Sequence, residues 1–225
     1  MFIFNNISSE DMGLIVQELP PISTPEETIN KSDVPGGVPI LQNCGYGLLE
    51  KSCTCHYEGN NPDKLLQWLR GSGKVMFSNL KDRYYKSYIG NKIPLEQILK
   101  NKLYKFPVIF TCKPFSYLLG GDIPITITTH TTLCNMKSTH ESYPTITIRG
   151  KGSATLTINK RTFNITDING GEIVIISDPD IQQVLNNKGK FMEGEFPYFD
   201  VGENEISWTG NITSIEIIPY WRTWI

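Results

Sequence analysis

The chain has 225 residues, of which 39% are hydrophobic and 20% charged, a composition typical of a globular protein with enough apolar residues for one large or two small cores. Its 21 basic and 23 acidic residues give a formal net charge of −2, which excludes a strong overall field for attracting nucleic acid or acidic membranes. The longest apolar runs are strand-sized and fall short of the about 18 residues of a membrane-spanning helix.

The N-terminal segment lacks the pattern of a secretion signal, since Glu10 and Asp11 stand where a signal would be apolar. The five cysteines are an odd number spread thinly along the chain, which disfavours a disulfide scaffold: Cys44, Cys53, Cys55, Cys112 and Cys134. We therefore expect a protein that is mature from Met1 and keeps its thiols reduced in a cytoplasm.

In chain order, the first clear element is a helix over residues 62–70. Asn61 is suited to cap its free amides, Pro62 fits the first helical position, and Gly71 ends it. Its apolar stripe is formed by Leu65, Leu66, Trp68 and Leu69. This is the single substantial helix that the sequence predicts.

Residues 94–100 predict a short connecting turn of helix, and the flanking segments predict strands. Aromatic and β-branched residues alternate with polar ones over residues 74–78, 84–93 and 103–112. Two glycine motifs, at residues 45–47 and 71–73, lack the following helix and the Lys-Ser/Thr of a nucleotide site. We interpret both as turns.

Residues 113–124 predict a junction between two domains, because they contain Pro114, the pair Gly120-Gly121 and Pro124. With the boundary near residue 116, the N-terminal domain spans residues 1–115 and the C-terminal domain residues 116–225.

The C-terminal domain is predicted to be a β-sandwich. Residues 143–165 alternate apolar and polar side chains across two glycine-rich breaks, and the alternation returns in residues 172–176, 204–208 and 212–218. Gly210 and Asn211 are expected to form a turn between the last two strands. Many short strands with one buried and one solvated face pack naturally as two sheets.

No arrangement of residues indicates an active site or a metal site. Cys53, Cys55 and His56 form the tightest polar cluster, but zinc would require ligands converging from a second short-spaced pair. Because Cys53 and Cys55 share the parity of one strand face, we expect them to be small buried side chains. The sequence therefore predicts no catalytic residue, no cofactor and no metal.

Two further features admit more than one interpretation. Five carboxylates are dense enough to suggest glycoside hydrolysis, although a solvated loop accounts for them better: Glu193, Glu195, Asp200, Glu203 and Glu205. The C-terminal stretch 217–225 is rich in aromatic side chains, which suit a core strand or a subunit interface more than a sugar-binding platform.

The order of segments resembles the distal tail protein (Dit) family of long-tailed phages that infect Gram-positive bacteria. The loop Val34-Pro35-Gly36-Gly37 is a variant of the family's Pro-Gly-Arg-Asp-Gly type loop without the Arg and Asp. The other similar segments are residues 4–16, 20–22, 66–73, 76–78, 84–86, 110–115, 143–150, 202–210 and 219–222.

This resemblance implies a mainly β protein. It implies an N-terminal tail-tube-like mixed β domain with one helix, which assembles six copies into a ring, and a C-terminal galectin-like or carbohydrate-module-like β-sandwich. The implied partners are the tail tube protein on one face and a tail-associated lysin, tail fibre or receptor-binding protein on the other. The implied role is mechanical and not enzymatic, in the virion tail, without nucleic-acid or membrane binding.

The alternative function is a carbohydrate-binding β-sandwich that recognises host cell-wall polysaccharide, or a weak carbohydrate contact within the hub. A further prediction concerns residues 26–57, which are polar and interrupted by glycines. We expect them to form a two-stranded arm that packs on a neighbouring subunit and not on its own core.

Overall fold

The computed structural model describes residues 1–100 and 102–224, apart from the side chain of Asn169. Ile225, which ends the aromatic C-terminal stretch, lies outside the described residues. The chain divides into two compact units, Met1–Ser116 together with Trp224, and Tyr117–Thr223. Strands dominate both units, as predicted, and the helix α1 at residues 62–68 is too short to cross a membrane, as are the two three-residue 3-10 turns in the part of the chain described.

The first unit is built on one large antiparallel sheet in the order β2-β1-β7-β8-β10-β6-β3, with β9 paired to β10 and a separate hairpin of β4 and β5. Its elements are β1 (Phe2–Phe4), β2 (Ile7–Ser8), β3 (Leu14–Glu18), β4 (Glu27–Ser32), β5 (Ile40–Tyr46), β6 (Leu49–Glu58), α1 (Pro62–Trp68), β7 (Gly71–Phe77), β8 (Arg83–Ile89), β9 (Glu96–Leu99) and β10 (Leu103–Leu118, whose last two residues belong to the second unit).

The predicted helix is confirmed and its start signals act as expected, but it ends at Trp68 with Leu69 as its C-cap, and Gly71 already belongs to β7. The side chain of Asn61 accepts a hydrogen bond from the backbone N–H of Lys64 at 3.2 Å. Leu65 and Leu69 are buried in the core of the first unit, and each contributes about 2 kcal/mol relative to an exposed position. The Trp68 indole N–H donates to the carbonyl of Phe4, which fixes the helix on β1.

Strict alternation along β6 and β10 forms the rest of this core. Leu49, Cys53, Cys55 and Tyr57 point inward from β6, and Phe106, Val108, Phe110 and Cys112 point inward from β10. The prediction that Cys53 and Cys55 lie buried on one strand face is confirmed.

Two local predictions in this unit are wrong. Residues 94–100 contain strand β9, because Glu96 and Gln97 pair with Lys105 and Tyr104 of β10, and this long-range pairing overrides the local helix preference. Residues 71–73 are not a turn either. They begin β7 and pair with residues 87–89 of β8.

The second unit contains β11 (Ile125–Ile127), β12 (Thr131–Asn135), β13 (Thr145–Ile158), β14 (Arg161–Ile165), β15 (Glu172–Ile176), β16 (Gln183–Val184), β17 (Met192–Glu193), β18 (Gly202–Ile218) and β19 (Arg222–Thr223). One half of the β13–β18 pair is flanked by β11 and β15, and the other half by β12 and β14. Inward side chains from both halves form one core, so the predicted sandwich is confirmed.

The predicted breaks inside β13 and β18, the two longest strands of the second unit, are wrong. β13 and β18 each run through their glycines, and their pairing shifts register between Arg149 and Gly150 and again between Lys151 and Ala154. A Cβ on Gly150 would overlap the carbonyl oxygen of Asn211, so the glycine permits two backbones to approach closely. Within the predicted junction of residues 113–124, β10 continues through Pro114 to Leu118, so the first part of the junction is a regular strand.

Candidate functional site

The most unusual surface feature of the first unit is the hairpin of β4 and β5, residues 27–46, which we call the arm. All six residues of β4 and the first five of β5 are exposed. The tip is a turn in which Gly37 N–H donates to the Val34 carbonyl at 3.0 Å and Gly36 has a φ of 72°. A two-stranded ribbon with both faces in solvent is marginally stable by itself, which is typical of a segment that binds a partner surface.

The predicted arm, residues 26–57, is corrected at its C-terminal end. Residues 49–58 form β6, which pairs with β10 along its whole length. Leu49 and Tyr57 face the core, and even the lysine between them, Lys51, is 2% exposed. The apolar residues at alternate positions of β6 are the feature of the sequence that indicates a core strand here.

The two faces of the arm differ in chemistry. Residues that pair directly across an antiparallel ladder share a face, so Ile29 lies with Asn43 and Leu41 lies with Lys31. Glu27 belongs to the same face, because its carboxylate accepts a hydrogen bond from the Asn43 amide at 3.2 Å. We call this surface the Ile29 face.

The opposite surface, the Ile40 face, carries one large apolar side chain. Asn30 pairs with Gln42, and Ser32 pairs with Ile40. Ile40 is 60% exposed, against 53% for Ile29 and 66% for Leu41. The Ile29 face, in contrast, presents two aliphatic side chains in diagonal positions, Ile29 and Leu41, and the Glu27 carboxylate at one end.

Aromatic packing fixes the C-terminal root of the arm. The Tyr46 ring makes edge contacts with Phe115 at 5.3 Å and with Trp224 at 4.8 Å between centroids. Gly47 N–H donates to the Glu26 carbonyl at 2.8 Å and closes the hairpin at its base. The exposed arm thus extends from a rigid attachment point.

A buried lysine fixes the N-terminal root. Lys51 Nζ donates to the Pro21 carbonyl at 3.0 Å and to Ser23 Oγ at 2.9 Å. Desolvation lowers the pKa of Lys51, while the nearby Cys112 acts in the opposite direction. The Asn79 amide donates to the Pro20 carbonyl at 3.0 Å, so two side chains hold the segment that leads into the arm.

A groove of about 680 Å³ lies on the outer face of the same sheet, and we call it the lysine groove. Lys74, Lys86 and Lys113 line it, with the exposed side chains of Tyr88 and Leu48. The remaining lining residues are Asn5, Ser72, Gly73, Ser87 and Thr111. The described residues that line it include three lysines and neither Asp nor Glu.

Gly73 of β7 is part of the groove lining. A Cβ there would overlap the side chain of Asn5, whose amide oxygen accepts from the Lys74 N–H at 3.1 Å. The Lys74 ammonium lies 4.5 Å from the centre of the Tyr84 ring, which holds it at the groove edge.

The cysteines are free thiols in two different environments. Burial raises the pKa of Cys53, Cys55 and Cys112 to about 12, so these thiols stay protonated at neutral pH. Within the described part of the chain, no group of three or more His, Cys, Asp or Glu is placed to hold a metal ion.

The five carboxylates of residues 193–205 do not all lie in a loop, since Glu193 belongs to β17, and Glu203 and Glu205 belong to β18. Asp200 pairs with the Arg161 guanidinium at 2.9 Å and accepts from Asn159, and hydrogen bonding to Arg161 lowers its pKa. Arg161 also stacks on the Tyr198 ring at 3.8 Å. These contacts hold a loop against β14, which is a structural role.

The C-terminal aromatic stretch is divided between the core of the second unit and the aromatic group at the arm root. Trp221 is 6% exposed and packs on Phe199 in the core of the second unit. Trp224 packs in the aromatic group at the arm root. The core interpretation is therefore confirmed for Trp221, whereas Trp224 is only partly buried.

Comparison with known proteins places the fold in one class. No protein-family model matches the chain, and no curated protein sequence matches it significantly. Among solved structures, three similar chains belong to a phage hub and to phage baseplates, and each match covers at least 90% of both chains. The fold is that of a phage distal tail protein, as the resemblance in the sequence implied.

One particular structure with this fold is the SPP1 Dit protein, described as a hub of the adsorption apparatus of phages that infect Gram-positive bacteria. It has a TM-score of 0.70 and 14% identity, and the match covers 96% of this chain and 97% of that chain. A chain of the phage P2 baseplate in its activated conformation with Ca matches with a TM-score of 0.56 and 11% identity, over 96% and 95% of the two chains. The corresponding baseplate with Sr gives 0.54 and 10%, over 92% and 90%.

Proposed function

We propose that this protein is the structural hub of a phage or prophage tail tip. In this role six copies form a ring that joins the tail tube to the tail-associated lysin or receptor-binding apparatus. The observation that carries the proposal is the match to the SPP1 Dit protein, which covers 96% of this chain and 97% of that chain and so includes both units.

The surface of the first unit supports this role. Its arm exposes two aliphatic side chains and the backbone of a two-stranded ribbon, and both roots of the arm are held by packed or buried side chains. A contact between the arm of one copy and the body of the next is heterologous, and such contacts close into rings. The unit Met1–Ser116 is accordingly the ring-forming part, and the unit Tyr117–Thr223 lies outside the ring.

The role is mechanical and located in the virion tail. The ionisable clusters that the sequence offered, around Cys53 and Asp200, consist of buried neutral thiols and a structural ion pair. The proposed partners are other copies of the chain, the tail tube protein and the lysin or receptor-binding proteins.

Negative-stain electron microscopy of the purified full chain tests the proposal. We expect closed rings with a central opening and six-fold symmetry. Particles of single-chain size at all concentrations, with or without a tail tube protein, would contradict it.

A further inference from the structure

A charged side chain occupies a core position of β6. The inward residues of this strand are Leu49, Lys51, Cys53, Cys55 and Tyr57, and the lysine is the only charged one among them. Lys51 is 2% exposed. Since a buried ammonium is costly unless polar groups surround it, the groups around Lys51 must be firmly placed.

The partners of Lys51 come from one segment and one ring. The ammonium donates to the Pro21 carbonyl at 3.0 Å and to Ser23 Oγ at 2.9 Å, and it lies 5.6 Å from the centre of the Tyr85 ring. No carboxylate of the described residues pairs with it. The burial of this charge therefore depends on residues 21 and 23 remaining in place.

Both hydrogen-bond acceptors belong to residues 20–26, which we call the strap. The strap connects β3 to the arm, and three of its φ angles are fixed by proline, at Pro20, Pro21 and Pro25. Because a segment with few free torsions passes on the position of one point to the next, fixing Pro21 and Ser23 also fixes where β4 begins.

We propose that Lys51 is a latch that holds the strap on the sheet and so sets the direction in which the arm leaves the first unit. When its two hydrogen bonds break, the strap lifts from the sheet and uncovers Lys51, while the aromatic root at Tyr46 stays packed. The Asn79 amide assists the latch at the start of the strap through the Pro20 carbonyl. The inference concerns the single chain and does not depend on the assembly of copies.

Cleavage after Glu26 by a glutamate-specific protease reports the opening of the strap. Glu26 ends the strap, and its carbonyl accepts from the Gly47 N–H. Proteolysis follows the population of the open form when opening is fast, and hydrogen bonds from a charged donor change this population strongly. We expect Lys51→Met, which keeps the alkyl stem and removes the ammonium, to raise the cleavage rate about tenfold or more. Ser23→Ala removes one of the two acceptors at an exposed position and should raise the rate about threefold.

A control variant and a reference site make the measurement specific. Lys105→Met is the matched control, because Lys105 is exposed on β10 opposite His56, and it should leave the cleavage rate unchanged. Cleavage after Glu195, an exposed residue of the second unit, should proceed at the same rate in all of these proteins. Mass spectrometry of the fragments separates this site from Glu26.

A spin label on Cys44 reports the arm itself. Cys44 is exposed on β5, and replacing the other exposed thiol in Cys134→Ser leaves it as the accessible site for labelling. In this background, we expect Lys51→Met to narrow the electron paramagnetic resonance spectrum of the dilute protein and Lys105→Met to leave it unchanged, because a released arm moves faster. A spectrum that Lys51→Met does not alter would show that the latch does not set the direction of the arm.

The proteolysis decides whether the latch exists. A wild-type cleavage rate after Glu26 in a Lys51→Met variant whose circular dichroism shows an intact fold overturns it. Equal acceleration at Glu26 and Glu195 also overturns it, since this means a general loosening of the chain. If Lys51→Met does not fold, Ser23→Ala decides: a rise confined to Glu26 supports the latch, and an unchanged rate contradicts it.

Discussion

Single glycines control how closely the two longest strands of the second unit approach each other. A Cβ on Gly150 would overlap the Asn211 carbonyl oxygen and come within 3.0 Å of the Ile212 Cα, and backbone atoms of this kind cannot move aside cheaply. The register shift beside Gly150 bends the β13–β18 pair, which allows each strand to serve both halves of the unit.

We expect Gly150→Ala to lower the free energy of unfolding by about 2 kcal/mol, the cost of forcing a methyl group into a packed position. Gly189→Ala is the matched control, because open space surrounds that position, and it should change stability by less than about 0.5 kcal/mol. Urea unfolding followed by tryptophan fluorescence measures both. Equal stability of the two variants would show that the strands are not in close contact at Gly150.

The buried thiols of the first unit make its stability sensitive to alkaline pH. Burial raises the pKa of Cys53 to about 12 in the folded protein, from an ordinary value of 9.0. The unfolded chain therefore loses this proton first as the pH rises, and the contribution present below pH 9 is lost between pH 9 and pH 12. The same sign applies to Cys55 and Cys112, whose pKa values are also raised to about 12.

When the pH rises from 8 to 10, we expect the free energy of unfolding to fall by about 1 kcal/mol for each of these thiols. Cys53→Ala should reduce this pH-dependent fall in unfolding free energy by the contribution of one thiol. This expectation holds whatever the substitution does to stability at pH 8. Denaturant titrations at pH 8 and pH 10 measure this loss of unfolding free energy. A loss in Cys53→Ala as large as in the wild type would rule out a neutral buried thiol at position 53.

At the scale of elements, the arm and β6 follow each other in sequence but belong to different parts of the fold. Replacing residues 27–46 by a short Gly-Ser linker removes exposed strands and spares Leu49, Lys51 and the rest of β6. We expect the first unit to keep its cooperative unfolding transition, since its core is unchanged. Extending the deletion to Ser52 should destroy that transition, because it removes the N-terminal half of a strand paired with β10.

Circular dichroism during thermal unfolding distinguishes the two deletions. Loss of the cooperative transition in the shorter deletion would mean that the arm belongs to the core of its own unit. Retention of the transition in the longer one would mean that β6 is dispensable.

Elements with strong local signals were predictable from the sequence, and those formed by long-range pairing were not. The helix α1 has its cap, its first-turn proline and its apolar stripe within ten residues of each other. Strand β9 has four exposed residues, and its identity depends on Lys105 and Tyr104 across the ladder. In the sequence alone, the glycines of β13 and β18 indicate strand breaks. Their role in letting the two backbones approach closely can be recognised only when the strands are paired.

In the molecule as a whole, the sequence predicts one part of the candidate site, the arm, but not the other part, the lysine groove. The polar composition of residues 26–46 is sufficient by itself to indicate an exposed arm. The lysine groove collects residues from position 5 to position 113, and the sheet order β1-β7-β8-β10 brings them together. Sequence spacing contains no sign of this proximity.

The central claim is that copies of this chain join through the arm into a closed ring. Native mass spectrometry of the full chain beside the variant lacking residues 27–46 tests it most directly. The account predicts a species of six copies of the 25.5 kDa chain for the full protein, and a monomer for the variant. A hexamer that persists without the arm, or a full chain that remains monomeric, would contradict it.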